Sequence, residues 1–133
     1  LNTSLTIMLD ESIYTEKDIC MAKEVGCGAI KLKLFKNFGM DNTFFLAQKA
    51  YDLGLEVILG NGVSTDIGNL YEALIISSKP EIFGPWAECN GYLKLREPML
   101  FTQLQMENGK LVWIDQGGKN LLLRDQILKK NSL

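Results

Sequence analysis

The side chains able to move a proton in this chain are few, and their spacing is informative. In Ala29-Ile30-Lys31-Leu32-Lys33-Leu34 apolar and basic residues alternate with the period of a strand, so Ile30, Leu32 and Leu34 share one face and Lys31 and Lys33 the other. If both sides of the sheet are covered, the lysine face is buried, and a buried lysine needs a carboxylate, a ligand or a lowered pKa. An ammonium group disfavoured by burial and by a neighbouring cation or metal can act as a general base near neutral pH. On an edge strand the same two lysines would be solvated charges. Asp10 and Glu11 follow the apolar run Leu5-Thr6-Ile7-Met8-Leu9. Hard oxygen ligands of this type suit Mg²⁺, which could stabilise the charge left when Lys33 takes a proton beside a carboxylate. Their plain alternative is a turn followed by a helix start. Asn61, Ser64 and Glu88 complete the polar set, Glu88 being either an acid facing a substrate or a surface charge. The chain has no His, so by itself it supplies no Ser-His-Asp triad, Cys-His pair or His-ligated metal.

The elements that must position these groups read as strand-then-helix units. Leu5 to Leu9 is a short buried strand. Thr15 with Asp18 three residues on is an Asp variant of the capping box and begins a helix that Gly26 ends. Residues 29–34 are the second strand, residues 37–40 a turn, and Asp41 caps a helix running to Gly54. Leu55 to Leu59 is the third strand. After Gly60-Asn61-Gly62, Thr65 or Asp66 opens a third helix that stops at Lys79-Pro80, and a fourth strand is expected within residues 81–87. Beyond Pro98, Phe101 to Met106 and Lys110 to Ile114 flank Glu107-Asn108-Gly109 as a β-hairpin, and Leu121 to Leu128 reads as a short helix. Successive units of this kind make an α/β fold with a parallel sheet, whose functional side chains gather at the carboxyl ends of the strands.

Composition narrows the function classes. With 47% apolar and 23% charged residues the chain has material for a core, which argues against a disordered tail. Fourteen Lys and Arg against 16 Asp and Glu give a net charge of −2, without the basic excess that nucleic acid or an anionic membrane requires of a partner. Cys20, Cys27 and Cys89 are odd in number and form no CxxC pair. They read as reduced thiols of a cytoplasmic protein. No apolar run approaches the roughly 18 residues of a spanning helix.

The series Leu9-Asp10-Glu11-Ser12, Ile30-Lys31-Leu32-Lys33-Leu34-Phe35-Lys36-Asn37-Phe38-Gly39, Ala50-Tyr51-Asp52-Leu53-Gly54-Leu55-Glu56-Val57 and Leu59-Gly60-Asn61-Gly62-Val63-Ser64-Thr65-Asp66-Ile67-Gly68 resembles the C-terminal part of the enolase superfamily. The similar branch is the mandelate racemase and muconate lactonizing enzyme group, and Glu107 to Val112 resembles its last hairpin. The resemblance implies the C-terminal half of a (β/α) TIM-type barrel in residues 1–97. A hairpin and short helix in residues 98–133 would return towards a capping domain. It implies Mg²⁺ held by three carboxylates on successive strands and abstraction of the proton α to the carboxylate of a small substrate. The outcome would be racemisation, epimerisation, dehydration or cycloisomerisation. On this chain it places a metal ligand on Asp10, with Glu11 beside it, and a catalytic lysine on Lys33. Lys31 and Glu88 join the catalytic set, Lys36 matches a further lysine of the motif, and Asn61 and Ser64 are the substrate contacts. Lacking His, the chain is similar to the lysine-based type. Phe38 stands where the family usually has Gly, and Gly60-Asn61-Gly62-Val63-Ser64-Thr65 replaces its Glu-Ser or Glu-Thr ending.

A whole barrel takes roughly 250 residues and this chain has 133. The strands expected to carry two further metal ligands and a partner lysine are therefore not in it. The expectation is weak or absent Mg²⁺ binding, no turnover by these residues alone, and a homo-oligomer formed through open strand edges. The competing expectation is a non-catalytic half-barrel that works by self-association.

Overall fold

In the computed structural model, which describes residues 4–100 and 103–114, three parallel strands lie in the order β1 (Met8–Leu9), β2 (Ala29–Leu32), β3 (Glu56–Leu59). Leu9 pairs with Ile30, and Ile30 with Val57. All four residues of the central strand β2 are buried, so Lys31 does not sit on a solvated edge. The strand expected from Leu5 onward shrinks to two residues, with Leu5 77% and Met8 40% exposed. Among the described residues β1 pairs with a strand on one side only.

Helix α1 (Glu16–Glu24) has the expected capping box: Thr15 N–H donates to Asp18 Oδ2 at 2.7 Å and Asp18 N–H to Thr15 Oγ1 at 3.4 Å. Gly26, at φ +83°, closes it, with Cys27 N–H reaching the Ala22 carbonyl in a Schellman arrangement. α2 (Met40–Asp52) differs from expectation at its start. Its N-cap position is Gly39, without a side-chain cap, and Asp41 lies inside the first turn, where it still faces the positive end of the helix dipole. The preceding turn decides this, because Gly39 N–H already donates to the Leu34 carbonyl and sets where the helix begins.

The described chain forms two compact units, one of residues 4–62 and Ile75–Glu88, the other of Val63–Leu74 and residues 89–114. α3 (Asp66–Ser78) gives its first turns to the second unit and its end to the first. In the first unit the core includes Ile13, Ile19, Ile30, Leu32, Leu46, Val57, Leu59 and Phe83. Phe44 meets Phe83 edge to face at 6.1 Å.

The fourth strand expected in residues 81–87 is mostly helix. Pro80 opens the short α4 (Pro80–Phe83), since its fixed φ suits a first helical position, and the turn buries Ile82 and Phe83. Only Ala87 pairs in strand fashion, with Leu59 in parallel, and Glu88 N–H donates to the Leu59 carbonyl. The architecture is α/β, and among the described residues the strands do not close a barrel.

In the second unit β4 (Gln103–Glu107) and β5 (Lys110–Ile114) form the expected antiparallel hairpin. Asn108 and Gly109 turn at φ +49° and +76°, the pattern of a type I′ turn. Leu70, Leu100 and Leu104 form its small core. The helix expected at Leu121 to Leu128 and the hairpin residues Phe101 and Thr102 lie outside the described residues.

Candidate functional site

At the carboxyl ends of the parallel strands the first unit gathers three lysines and three carboxylates. Asp10 and Glu11 follow β1, Lys31 lies in β2, Lys33 and Lys36 follow it, and Glu88 follows the single bridge at Ala87. Lys33 Nζ stands 2.7 Å from Asp10 Oδ1 and 2.5 Å from Glu11 Oε1. Lys31 Nζ stands 2.8 Å from Glu88 Oε1 and 3.6 Å from Asp10 Oδ2. Lys36 Nζ donates to the Asp10 carbonyl, lies 3.7 Å from Asp10 Oδ1 and sits 5.2 Å above the Tyr14 ring. Five of the residues singled out in the sequence, Asp10, Glu11, Lys31, Lys33 and Glu88, thus converge.

Local folding explains how the lysines are held. Asn37 is fully buried; its Oδ1 accepts from Lys33 N–H at 2.8 Å and its Nδ2 donates to the Ile13 carbonyl at 3.4 Å, tying the end of β2 to the chain after β1. Gly60 leaves room for the Lys31 stem, since a Cβ there would meet Lys31 Cδ at 2.7 Å. Gly62 does the same for Phe35, whose Cε1 would lie 1.7 Å from an added Cβ. Sequence reasoning did not find Asn37 or the two glycines as positioning residues, although a Gly-x-Gly after a strand is a signal of close approach. Phe38 takes a left-handed conformation at φ +59° and is 83% exposed. Such a backbone is unusual for a bulky residue, and a glycine takes it freely.

The electrostatics reverse one expectation. Burial alone would push the Lys33 amine down, but the hydrogen bonds and charges of Asp10 and Glu11 outweigh it and raise its pKa above the ordinary lysine value. Lys33 is therefore an ammonium in this arrangement. It is Lys36 that is lowered, by burial first and with the Lys33 charge adding to it, against the opposing pull of Asp10. Burial likewise would raise the Asp10 carboxyl, yet the Lys33 hydrogen bond and the charges of Lys33, Lys31 and Lys36 hold it below its usual range.

The Mg²⁺ that the resemblance implies does not fit the residues present. Three ammonium groups lie within 3.7 Å of the Asp10 carboxylate, a surrounding that repels a dication. Glu11 is turned onto Lys33. Among the described residues no group of three or more His, Cys, Asp or Glu is placed to hold a metal ion, whereas Mg²⁺ takes near-octahedral oxygen coordination.

Asn61 follows β3 in the first unit. Ser64 belongs to the second unit, where its hydroxyl donates to Glu72 Oε1 at 3.3 Å. Glu72 is 1% exposed and also accepts from Asn69 Nδ2 at 2.7 Å. Cys89 lies beside it, and burial first, then the Glu72 charge, pushes the thiol up to about 12. The three cysteines are free, with Cys27 and Cys89 buried. No described helix is long and apolar enough to cross a membrane.

No family model and no curated protein matches this chain. Solved structures do. A member of the enolase superfamily from Listeria innocua is 23% identical with a TM-score of 0.81, over 96% of this chain and 34% of that one. The muconate lactonizing enzyme from Pseudomonas putida is 26% identical with a TM-score of 0.78, over 97% and 36%. The N-succinyl Arg/Lys racemase from Bacillus cereus is 20% identical with a TM-score of 0.80, over 99% and 35%. This chain spans about a third of the length of the solved relatives it matches. Its structural neighbours are enolase-superfamily proteins of the mandelate racemase and muconate lactonizing group.

Proposed function

We propose that residues 1–97 are the C-terminal part of a TIM-type barrel and carry part of a lysine-based acid/base site acting on the proton α to the carboxylate of a small acid. The reaction would be a racemisation, epimerisation, dehydration or cycloisomerisation. The observation that carries this reading is the placement of Lys33 Nζ 2.7 Å from Asp10, at the carboxyl ends of adjacent parallel strands. The neighbours of this fold include racemases, epimerases and cycloisomerases. Lys33 is the proton-transferring group. As an ammonium it donates to carbon, and it becomes a base only when Asp10 and Glu11 release it and its pKa falls. Asn37 holds its backbone, and Lys36 holds the Asp10 carbonyl. Lys31, paired with Glu88, is the second cation, and Asn61 is a candidate for contact with the substrate. Mg²⁺, if the complete protein uses it, requires carboxylates from outside these residues, with Asp10 first freed of its ammonium partners.

The test joins these 133 residues to the part of the Pseudomonas putida muconate lactonizing enzyme that they do not cover and follows exchange of α-protons of small carboxylic acids with D₂O by NMR. Lys33→Arg keeps the charge but does not deprotonate in the working range, so exchange falls by orders of magnitude. Exchange that survives Lys33→Arg, or that Lys31→Arg abolishes instead, overturns the assignment. The 133 residues alone are expected to give no turnover.

A second reading, self-association of a non-catalytic module, is favoured by the one-sided pairing of β1 among the described residues and by the exposure of Leu5 and Met8. It expects a dimer or higher oligomer in sedimentation at micromolar concentration. A monodisperse monomer counts against it.

A further inference from the structure

The cluster of lysines and carboxylates divides into a fixed part and a displaceable part of opposite charge. Lys31, Lys33 and Lys36 have side chains only 10%, 9% and 3% exposed, and Asp10 is 30% exposed. Three ammonium groups less one carboxylate leave this fixed part at +2. Its neutrality depends on Glu11 and Glu88, whose side chains are 77% and 47% exposed. An ion pair with an exposed partner contributes about 0–1 kcal/mol, because water and salt compete for it. Leaving a buried ammonium without any partner costs several kcal/mol. The lysines must therefore keep an anion, but nothing requires it to be a glutamate of this chain.

We propose that Lys31 and Lys33 form a metal-independent site for a small dicarboxylate, with Glu11 and Glu88 as internal stand-ins that the ligand displaces. The surroundings that exclude Mg²⁺ favour a dianion: Asp10 already has ammonium groups at both oxygens, and an arriving pair of carboxylates matches the +2 of the fixed part. Two carboxylates on one ligand also act as a linked pair, so a monocarboxylate such as acetate is a much weaker competitor. The inference rests on the proposed function for the kind of ligand, a carboxylic acid, and departs from it in needing no cation.

The experiment titrates the 133-residue protein with malonate in EDTA at low ionic strength and neutral pH, following binding by calorimetry and lysine signals by NMR. Malonate binds, and acetate binds at least about tenfold more weakly. Glu11→Gln with Glu88→Gln, checked for folding by circular dichroism, removes both stand-ins and leaves Asp10 as the one described carboxylate beside Lys31 and Lys33, and it tightens malonate by about tenfold, the equivalent of roughly 1.4 kcal/mol shared between two weak pairs. Lys33→Met, checked for folding by circular dichroism, loses the binding. Four results overturn the inference: no binding by either the unmodified protein or the double variant, equal affinity for acetate, no tightening on removal of the two glutamates, or binding that appears only with added Mg²⁺. Failure here is separable from failure of the proposed function. Binding in EDTA together with Lys33-independent proton exchange in the joined protein refutes Lys33 as the base and leaves the anion site standing. Lys33-dependent exchange without metal-free binding does the opposite.

Discussion

Gly60→Ala tests whether Lys31 lies across the end of β3. The position does not have positive φ, so alanine's backbone is unstrained and the effect comes from contact. The new Cβ meets Lys31 Cδ at 2.7 Å and Cγ and Cε at 2.9 Å. These are mid-stem carbons of a side chain whose Nζ is held 2.8 Å from Glu88, so the stem must twist and in doing so draws its Nζ away from Glu88. Twisting off a rotamer costs about 0.5–1.5 kcal/mol, and losing the half-exposed pair about 0.2–1 kcal/mol. The penalty is thus about 1–2 kcal/mol, set against about 0.4–1 kcal/mol gained by restricting the unfolded chain. In a Lys31→Ala background the clash is gone and only the gain remains, so Gly60→Ala changes sign from destabilising to stabilising. Urea midpoints of the four proteins in the cycle measure a coupling of about 1–2 kcal/mol. Additivity within about 0.3 kcal/mol would refute the reasoning, because it would mean that Lys31 does not depend on the missing Cβ.

Thr15→Ala removes the reciprocal cap of α1 and lowers stability by about 1 kcal/mol in denaturant titrations. It also lets the Asp18 carboxyl rise from its lowered value, whose largest cause is the Thr15 hydrogen bond, as an NMR pH titration would record. Asn37→Ala leaves the Lys33 N–H and the Ile13 carbonyl without their partner and costs about 2–3 kcal/mol in the same measurement. Cys89, pushed up to about 12, keeps its proton in the folded state over a range where the unfolded thiol, near 9, has lost it. Stability therefore falls as pH rises from about 9 towards 12, and Cys89→Ser removes that part of the slope. Cys20, the least buried of the three, is alkylated before Cys27 and Cys89 in the native protein.

Short-range physics made several elements readable from residue order alone. Thr15 with Asp18 announced the start of α1, Gly26 and Gly54 ended their helices, Asn108-Gly109 announced the hairpin turn, and the alternation from Ala29 located β2, although the strand expected to reach Leu34 ends at Leu32 and leaves Lys33 just beyond it. Each depends on partners within a few residues, so no knowledge of the rest of the fold is needed. The departures arose where a distant or competing partner decided. Asp41 does not cap α2 because the Leu34 to Gly39 turn had already set the helix start, and Glu81 to Phe83 turned helical because Pro80 nucleates there and the turn buries Ile82 and Phe83. The chemistry shows the same division. Residue types identified Lys33 and Asp10 as candidates, but whether Lys33 is poised to lose a proton or to keep one depends on what stands within a few ångströms of its amine. Those neighbours, Asp10 and Glu11, come from the segment that follows another strand and raise the pKa that burial alone would lower. Charge interactions act through space between segments distant in sequence, so only the tertiary structure could set their sign.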